Sequence, residues 1–462
     1  MFRLFKHYIP HSVVGLALLE FLILFFAGEA AWVIYARQIG ITLPSIGARL
    51  LPLLTFALSI QLAMVAVGVY SPDALRSMRF ATARMLAAVS LGVIFLSVVR
   101  FLLPSITLWR ANSIYAMALA IVILLGVRFV LTQVIDGDKF RRRVLVLGAG
   151  DRAMRLIALS ETPGSGFIVA GCVAMNEGTA TIAGAVNRGD LDSLADHVVA
   201  VRASEVVLAL EERRNALPLA DLLRIKTTGV HVNDISSFIE RETGRVDLAT
   251  TNPSWLIFSD GFSAGQRLSS AAKRLFDIAA SLSVLLLTLP LVIIAAIAVK
   301  LDSRGPAMYR QARVGLFGES YQIWKLRSMR TDAEVGGQAV WAAENDPRVT
   351  RVGRIIRKLR IDELPQTWCV LKGDMSFVGP RPERPSFVEE LEAKLPFYSE
   401  RHMVKPGLTG WAQINYPYGA SVEDARVKLE YDLYYAKNYS PFLDLLILLQ
   451  TVRVVLWPEG AR

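Results

Sequence analysis

The sequence predicts a membrane protein of three parts: four transmembrane helices, an α/β module with a glycine turn, and a polar C-terminal α+β domain with one more apolar helix. Three observations predict it. Residues 1–138 hold four apolar stretches of spanning length, residues 139–262 alternate strand and helix patterns, and residues 263–462 carry most of the polar motifs. A mean hydropathy of +0.40 and only two cysteines exclude a disordered chain and a disulfide-stapled module.

The four apolar stretches lie at about 13–34, 50–70, 85–108 and 111–134. About 20 residues cross a bilayer core, so each stretch is long enough to span. Basic residues are dense before the first stretch, between the second and third, and after the fourth, which predicts both ends of this block in the cytoplasm. Glu20, inside the first stretch, is either a functional carboxylate or a neutral group against a neighbouring helix.

The second part begins with an apolar strand, a glycine turn and a helix start, in the pattern G-x-G-x-x-A at Gly148, Gly150 and Ala153. Such glycines let the backbone approach a pyrophosphate at a helix N-terminus. Strands are also predicted at 166–173, 205–210 and 229–232, and helices at 190–199 and 217–226, which indicates a Rossmann-like module. No acid ends the second strand, although Glu177 lies close by. A nucleotide-sensing module, a structural spacer and a redox cofactor site all stay open.

A fifth apolar segment, residues 275–299, has basic residues at both ends and Pro290 near its middle. The flanking charges therefore give no direction of crossing. Because proline removes one helical hydrogen bond and kinks a helix, we expect this segment to enter the membrane and return to the same face. Asp277 would then stay near the interface.

Two carboxylates follow an arginine-rich amphipathic helix predicted at 352–359. In the sequence Asp362-Glu363-Leu-Pro365-Gln, proline is tolerated only in a first helical turn, so both acids lie at a helix N-terminus. The helix dipole favours their ionised forms by about 0.3–1 kcal/mol. Adjacent helical side chains diverge by about 100°, so one acid can be a nucleophile while the other holds a metal. A pair of capping acids is the alternative.

Pro380 and Pro382 bracket Arg381 and fix its backbone, which suits a guanidinium that binds phosphate. The C-terminal stretch 443–457 is strongly apolar. We interpret it as a helix lying on the bilayer, with a core helix as the alternative. The net charge of +10 indicates an anionic partner, such as lipid head groups or a phosphorylated substrate.

In combination these motifs resemble the bacterial sugar transferase family, the monotopic polyprenyl-phosphate phosphoglycosyl transferases. The resemblance runs from Lys273 to about Trp457 and includes, in order, K-R-x-x-D, R-S-M, D-P-R-V-T, D-E-L-P-Q, G-D-M-S-x-V-G-P-R-P and K-P-G-x-T-G-W-A-Q. Four spans, a Rossmann-like module and a C-terminal monotopic transferase domain are similar to the long-form members, which initiate exopolysaccharide or O-antigen repeat units.

The resemblance implies transfer of a hexose-1-phosphate from a UDP-sugar to undecaprenyl phosphate, with release of UMP. Asp362 would be the nucleophile and form an acyl-phosphate intermediate. A reference pKa of about 3.9 would leave it ionised without a base. Glu363 would hold Mg²⁺. The arginines that the resemblance implies at the phosphates are Arg357 and Arg381, with Arg327 and Arg348 as helpers or structural residues. Asp432 and Asp444 have family-like positions and no derived role.

The family pattern also implies a re-entrant helix broken at Pro290, with the catalytic domain on the cytoplasmic face of the bacterial inner membrane. The implied partners are a UDP-sugar, undecaprenyl phosphate, membrane lipid and a second copy of the chain, and no nucleic acid. Three positions depart from the family pattern. Leu289 replaces a serine before the proline, Arg360 stands where a small hydroxylated residue is common, and Cys369 where asparagine is common.

Two other functions stay open from the sequence. One is a non-catalytic membrane scaffold whose Rossmann-like module senses a nucleotide. The other is a sugar-nucleotide dehydratase, for which Tyr321 and Lys325 match a Y-x-x-x-K dyad. That dyad requires a helix, whereas the stretch alternates apolar and polar residues and predicts a strand. The sequence does not identify the sugar.

Overall fold

The computed structural model describes residues 2–4, 7–71, 74–75, 77–134, 141–175, 182–211, 217–251, 253, 257, 267–331, 347–417, 419 and 421–456. The chain divides into two compact units. The first unit comprises residues 1–2 and 8–257, and the second comprises residues 3–7 and 258–462. Glu177 and Asp346, the first residue of the D-P-R-V-T motif, lie outside the described residues.

The predicted spans are confirmed as long apolar helices. They are α1 (His11–Ile39), α2 (Ile46–Val67), α3 (Met78–Leu102) and α4 (Arg110–Val134). The third was predicted to run to residue 108 but ends at Leu102, because Pro104 begins a short 3-10 helix there. Two strands, β1 (Phe2–Leu4) and β2 (His7–Ile9), precede α1. Five described helices are long and apolar enough to cross a membrane, these four and one in the second unit.

Small residues let the four helices approach closely. A side chain at Gly28 would meet Leu53 2.7 Å away, and one at Gly92 would run into Ile60. Glu20 is fully buried, and Arg128 Nε donates to its Oε1 at 2.7 Å. The buried Glu20 therefore has a cationic partner on another helix, and a functional role for this carboxylate stays a prediction.

The Rossmann-like module is confirmed as a parallel sheet covered by helices. Its strands are β3 (Arg142–Leu147), β4 (Phe167–Ala174), β5 (Val186–Asn187), β6 (Glu205–Leu208) and β7 (His231–Asp234). The strand order is β5-β4-β3-β6-β7, so the order reverses at β3, whose end carries the glycine turn. The helices are α5 (Asp151–Glu161), α6 (Leu194–Ala200), α7 (Leu219–Thr227) and α8 (Ile235–Thr243).

The second unit begins with one long helix, α9 (Arg267–Asp302), which contains Pro290. Residues on both sides of Pro290 are helical, so the helix assignment continues through it, and the re-entrant kink there stays a prediction. Proline withholds one N–H from the helical ladder, and the ladder resumes beyond it. The Thr288 hydroxyl, one residue before Leu289, donates to the Val284 carbonyl at 2.7 Å and adds a local bond.

The rest of this unit is an α+β fold of short elements, as predicted. Its strands are β8 (Met308–Val314), β9 (Ser320–Leu326), β10 (Ser376–Val378) and β11 (Gly407–Thr409). Its helices are α10 (Arg351–Lys358), α11 (Thr367–Lys372), α12 (Pro385–Lys394), α13 (Trp411–Asn415), α14 (Val422–Asn438) and α15 (Pro441–Leu456). Strands β8 and β9 are antiparallel, and β10 and β11 are parallel. The predicted strand over Tyr321 and Lys325 is confirmed.

Helix α15 is packed along one face, with Leu443 and Ile447 fully buried, while Leu445 is 51% exposed. One face of the C-terminal stretch therefore packs on the second unit, and its predicted contact with the bilayer stays a prediction.

The K-R-x-x-D motif at the start of α9 bonds the helix to the rest of the second unit. Lys273 Nζ lies 2.6 Å from Asp444 Oδ2. Arg274 donates to the main-chain carbonyls of Val370 and Leu371, which end α11. Asp277, 3% exposed, accepts from Ser376 Oγ and from the Phe377 amide, each at 3.1 Å. Asp277 is therefore buried in the second unit, and its position near the membrane interface stays a prediction.

Candidate active site

The Asp362–Glu363 pair lies on a 3-10 turn, Ile361–Gln366, between α10 and α11. The sequence predicted a helix N-terminus here, and the first turn is 3-10 because Pro365 lies within it. Helix α10 is capped at its start by Thr350 Oγ1, which accepts from the Gly353 amide at 2.9 Å. It ends at Lys358, and Arg360, with a φ of +56°, turns the chain sharply into the 3-10 turn. The acidic pair is thus held between two anchored helices.

Three cations surround Glu363. Its Oε1 lies 2.9 Å from Arg381 Nη2 and 3.2 Å from Lys325 Nζ, and its Oε2 lies 3.5 Å from Arg360 Nη1. Burial raises the pKa of this carboxyl, but the positive charges of Arg381, Lys325 and Arg360 outweigh it and hold the pKa far below its usual range. Glu363 is therefore ionised at any physiological pH.

Asp362 has the opposite environment. It is 8% exposed, and its Oδ1 is buried with no hydrogen-bond partner among the described residues. Burial and the adjacent negative charge of Glu363 raise the pKa of Asp362, while Lys325, Arg357 and Arg360 oppose that rise. The sequence expectation of an ordinary carboxyl pKa is therefore corrected: this carboxylate is desolvated and less acidic than in water.

Lys325 is the site residue that sequence reasoning missed. It lies in β9, which pairs with β8, and its ammonium group reaches Glu363. Burial lowers the pKa of Lys325, with Glu363 opposing that shift. In the sequence this lysine matched the Y-x-x-x-K dyad of a dehydratase, and that match did not predict its contact with Glu363. A lysine on a strand just before the R-S-M element was the available signal.

The structure sorts the four predicted phosphate-binding arginines. Arg381 contacts Glu363, and Arg357 is close enough for its charge to lower the pKa of Asp362. Arg327 is 6% exposed and donates to the carbonyls of Ser303 and Arg304, so it caps the end of α9. This is the structural alternative left open for Arg327. Arg348 lies in the segment that bridges to Met329, and its contact with a phosphate stays a prediction.

Asp432 pairs with a buried cation, and Asp444 pairs with a half-buried one. Asp432 lies 2.7 Å from Arg401 Nη2, and Asp444 lies 2.6 Å from Lys273 Nζ. Asp444 also accepts from the Tyr435 hydroxyl at 2.7 Å. Burial raises the pKa of both carboxyls, and the neighbouring cation opposes the rise. Each carboxylate, which the sequence left without a role, neutralises a cation of the second unit.

The donor chemistry of the acidic pair fits Mg²⁺. The buried, unpartnered Oδ1 of Asp362 and the ionised Glu363 are hard oxygen donors, and Mg²⁺ commonly uses one or two protein carboxylates with phosphates and waters. No cluster of three or more His, Cys, Asp or Glu side chains that could hold a metal occurs in the described part of the chain. A metal held by this pair would complete its shell with phosphate oxygens or waters.

At the glycine turn of the first unit, a carboxylate lies where a phosphate would bind. Glu211 Oε1 accepts from the Asp151 amide at 3.0 Å, at the N-terminus of α5. A side chain at Gly150 would run into this carboxylate, and one at Gly148 would run into the backbone at Ala209. Arg152 donates to the Leu210 carbonyl at 2.8 Å and holds the segment in place. The turn was predicted correctly, but its residues in this conformation do not fit a bound pyrophosphate.

Comparisons with known proteins match both units. Residues 268–458 match the family described as Bacterial sugar transferase, and residues 65–227 match one described as CoA-binding domain. Because the glycine turn is closed by Glu211, no role of coenzyme A at this turn is inferred.

Three curated relatives show the extent of the similarity. A UDP-N-acetylgalactosamine-undecaprenyl-phosphate N-acetylgalactosaminephosphotransferase of Aeromonas hydrophila is 44% identical over 241 residues, 52% of this chain and 56% of the relative. An undecaprenyl-phosphate glucose phosphotransferase of Komagataeibacter xylinus is 43% identical, covering 41% of this chain and 36% of the relative. A UDP-glucose:undecaprenyl-phosphate glucose-1-phosphate transferase of Caulobacter vibrioides is 44% identical, covering 41% of this chain and 71% of the relative.

Proposed function

Since the chain belongs to the bacterial sugar transferase family, we propose that it transfers a hexose-1-phosphate from a UDP-sugar to undecaprenyl phosphate and so initiates a glycan repeat unit. The observation that carries the proposal is the desolvated Asp362 beside an ionised Glu363 that holds three cations. The relatives named above use different sugars, so the hexose is left open.

The proposed chemistry has two displacements at one phosphorus. A carboxylate oxygen of Asp362 attacks the sugar-bearing phosphorus, an acyl-phosphate bond forms, and the bond to the UMP oxygen breaks. A phosphate oxygen of undecaprenyl phosphate then attacks the same phosphorus and releases the carboxylate. Partial desolvation of Asp362 supports this role, because a carboxylate without hydrogen-bond donors keeps its electron density available.

The cations around Glu363 are the ones a diphosphate needs. Arg381 and Lys325 are held by Glu363 with their charges directed into the site, and Arg357 adds a third charge near Asp362. A substrate diphosphate would accept hydrogen bonds from the same groups. Mg²⁺, held by Glu363, would neutralise the diphosphate and the leaving UMP.

We place the second unit on the cytoplasmic face of the inner membrane, where UDP-sugars are available. The positive loops of the first unit and the five apolar helices support this placement. A homodimer, implied by the family resemblance, is part of the same proposal.

The test is UMP release by the purified full-length protein with Mg²⁺, undecaprenyl phosphate and a panel of UDP-sugars. We expect release with at least one sugar, and loss of about a thousandfold or more in Asp362→Asn and Glu363→Gln, the usual scale for a covalent nucleophile and its electrostatic partner. Glu423→Gln is the matched control, because Glu423 is an exposed carboxylate paired with Arg426 on α14. Full turnover by Asp362→Asn, or no phosphosugar adduct on Asp362 in trapped active enzyme, would contradict the assignment.

A further inference from the structure

The turn that carries Arg381 is held from outside through its carbonyl groups. Pro380 and Pro382 have no backbone N–H, so their main chains can accept hydrogen bonds but cannot donate them. The Pro380 carbonyl accepts from the Gly407 amide at 2.9 Å. The Arg381 carbonyl accepts from Arg401 Nη2 at 2.9 Å, and the Pro382 carbonyl accepts from Arg313 Nη1 at 3.1 Å.

The position of Arg401 is itself fixed by two buried partners. Its Nε and Nη2 donate to Asp432 Oδ2 at 3.1 and 2.7 Å, and its Nη1 donates to the Tyr398 hydroxyl at 2.9 Å. Arg401 is 5% exposed and Asp432 is 2% exposed. A buried charge is tolerated only when it is paired and hydrogen-bonded. Arg401 meets this condition, because Asp432, Tyr398 and the Arg381 carbonyl all accept hydrogen bonds from it. The planar guanidinium therefore has one orientation, and in that orientation it reaches the Arg381 carbonyl.

We propose that Arg401 is a positioning residue of the diphosphate site, which holds the backbone of Arg381 so that the Arg381 side chain points at the reacting phosphates. Asp432 and Tyr398 orient Arg401 for this purpose. The inference rests on the proposed function, in which Arg381 binds the diphosphate of the UDP-sugar. Arg401 contacts no reacting atom and acts through Arg381 alone.

Arg401→Lys separates positioning from simple stability. Lysine keeps the positive charge beside Asp432 but cannot bond to Asp432, Tyr398 and the Arg381 carbonyl in one plane. We expect the KM for the UDP-sugar to rise about tenfold with a smaller change in kcat, a size expected for coupled neighbours. In an Arg381→Lys background the same substitution should have little further effect, because the side chain that it positions is already altered.

Arg426→Lys is the matched control. Arg426 lies on the same helix as Asp432 and pairs with the buried Glu430 at 2.8 Å, so the chemical change and the burial of its partner are comparable. We expect no coupling between this control and Arg381→Lys. Should Arg401→Lys fail to fold, Tyr398→Phe removes one partner of Arg401 without changing a charge, and we expect it to raise KM about threefold.

Arg401→Lys, Arg381→Lys and their double variant are also compared by the affinity of the full-length protein for UDP with Mg²⁺. This comparison does not require the transferred sugar to be known. Equal effects of Arg401→Lys with and without Arg381→Lys, in KM or in UDP affinity, would overturn the positioning role. Coupled UDP affinities without UMP release from any UDP-sugar would support the positioning role and contradict the proposed function.

Discussion

The adjacent carboxyl groups of Asp362 and Glu363 have opposite electrostatic environments in this site. Glu363 gains three cations within 3.5 Å, whereas Asp362 is buried with an unpartnered oxygen. Because the direct cation contacts are all made to Glu363, the site keeps Glu363 ionised while Asp362 stays poorly solvated. The raised pKa of Asp362 means that its ionisation, and not that of Glu363, governs activity at low pH.

This difference predicts how Arg360 affects the pH dependence. The charge of Arg360 lowers the pKa of Asp362, so Arg360→Gln should raise that pKa. Because only ionised Asp362 attacks, the acid limb of kcat/KM for UMP release should move to higher pH. The Arg360 side chain is 53% exposed, so solvent screening should keep this shift small. Lys394→Gln, at the exposed end of α12, should leave the limb in place; a shift of the Arg360→Gln limb to lower pH would contradict this electrostatic account.

The sequence motifs identified residues of the candidate site more successfully than they predicted the contacts between those residues. Asp362, Glu363 and Arg381 were found because proline and charge patterns fix their local backbone. Lys325 was missed because its approach to Glu363 is a tertiary contact between β9 and the 3-10 turn, and strand periodicity does not encode it. For Arg327, only the structure shows that its guanidinium is used by the end of α9.

At the scale of elements, ion pairs join apolar helices. Apolar packing alone does not determine which residues of two such helices lie opposite each other. Arg128 on α4 pairs with Glu20 on α1 among fully buried apolar side chains. In a low-dielectric interior, removing one partner costs far more than replacing both by apolar residues. The lengths of these helices were predictable from hydropathy, but their pairing was not, because either charge could have faced another helix.

Glu20→Gln should therefore destabilise the first unit by about 3–5 kcal/mol, since it leaves Arg128 buried without a counter-charge. The double variant Glu20→Leu with Arg128→Leu should recover most of that loss. Thermal unfolding in detergent measures both. Asp221→Asn is the control, because Asp221 pairs with Arg188 and both side chains are partly exposed, at 26% and 30%, so we expect a smaller loss. Equal destabilisation by Glu20→Gln and the double variant would show that the ion pair is not the cause.

At the scale of the whole molecule, composition and periodicity predicted the three-part order of the chain and the parallel sheet. They could not predict that Glu211 closes the glycine turn, because that contact joins the end of β6 to the start of α5. Nor could they predict that Pro290 leaves α9 helical, since the effect of one missing donor depends on what holds the two helix ends.

Both ends of α9 are hydrogen-bonded to the rest of the second unit, and this constrains the topology of α9 in the membrane. Lys273 and Asp277 anchor the start of α9. At its end, Asp302 accepts from the Val352 amide at 3.0 Å, and Arg327 donates to Ser303. The middle is exposed and apolar, with Leu286 73% and Leu287 82% exposed. A helix whose two ends bond to one compact unit should have both ends on one side of the bilayer, with the apolar middle in lipid.

Cysteine labelling tests this topology in the full-length chain, whose native Cys172 and Cys369 are both buried. Ala271→Cys and Arg304→Cys place exposed thiols before and after the apolar middle of α9, and Thr42→Cys places one between α1 and α2. In intact spheroplasts, an impermeant maleimide should label only Thr42→Cys, because the positive-inside rule puts that loop outside. All three should react after lysis. Labelling of Arg304→Cys from outside, with Ala271→Cys protected, would mean that α9 crosses the bilayer despite the bonds at both of its ends.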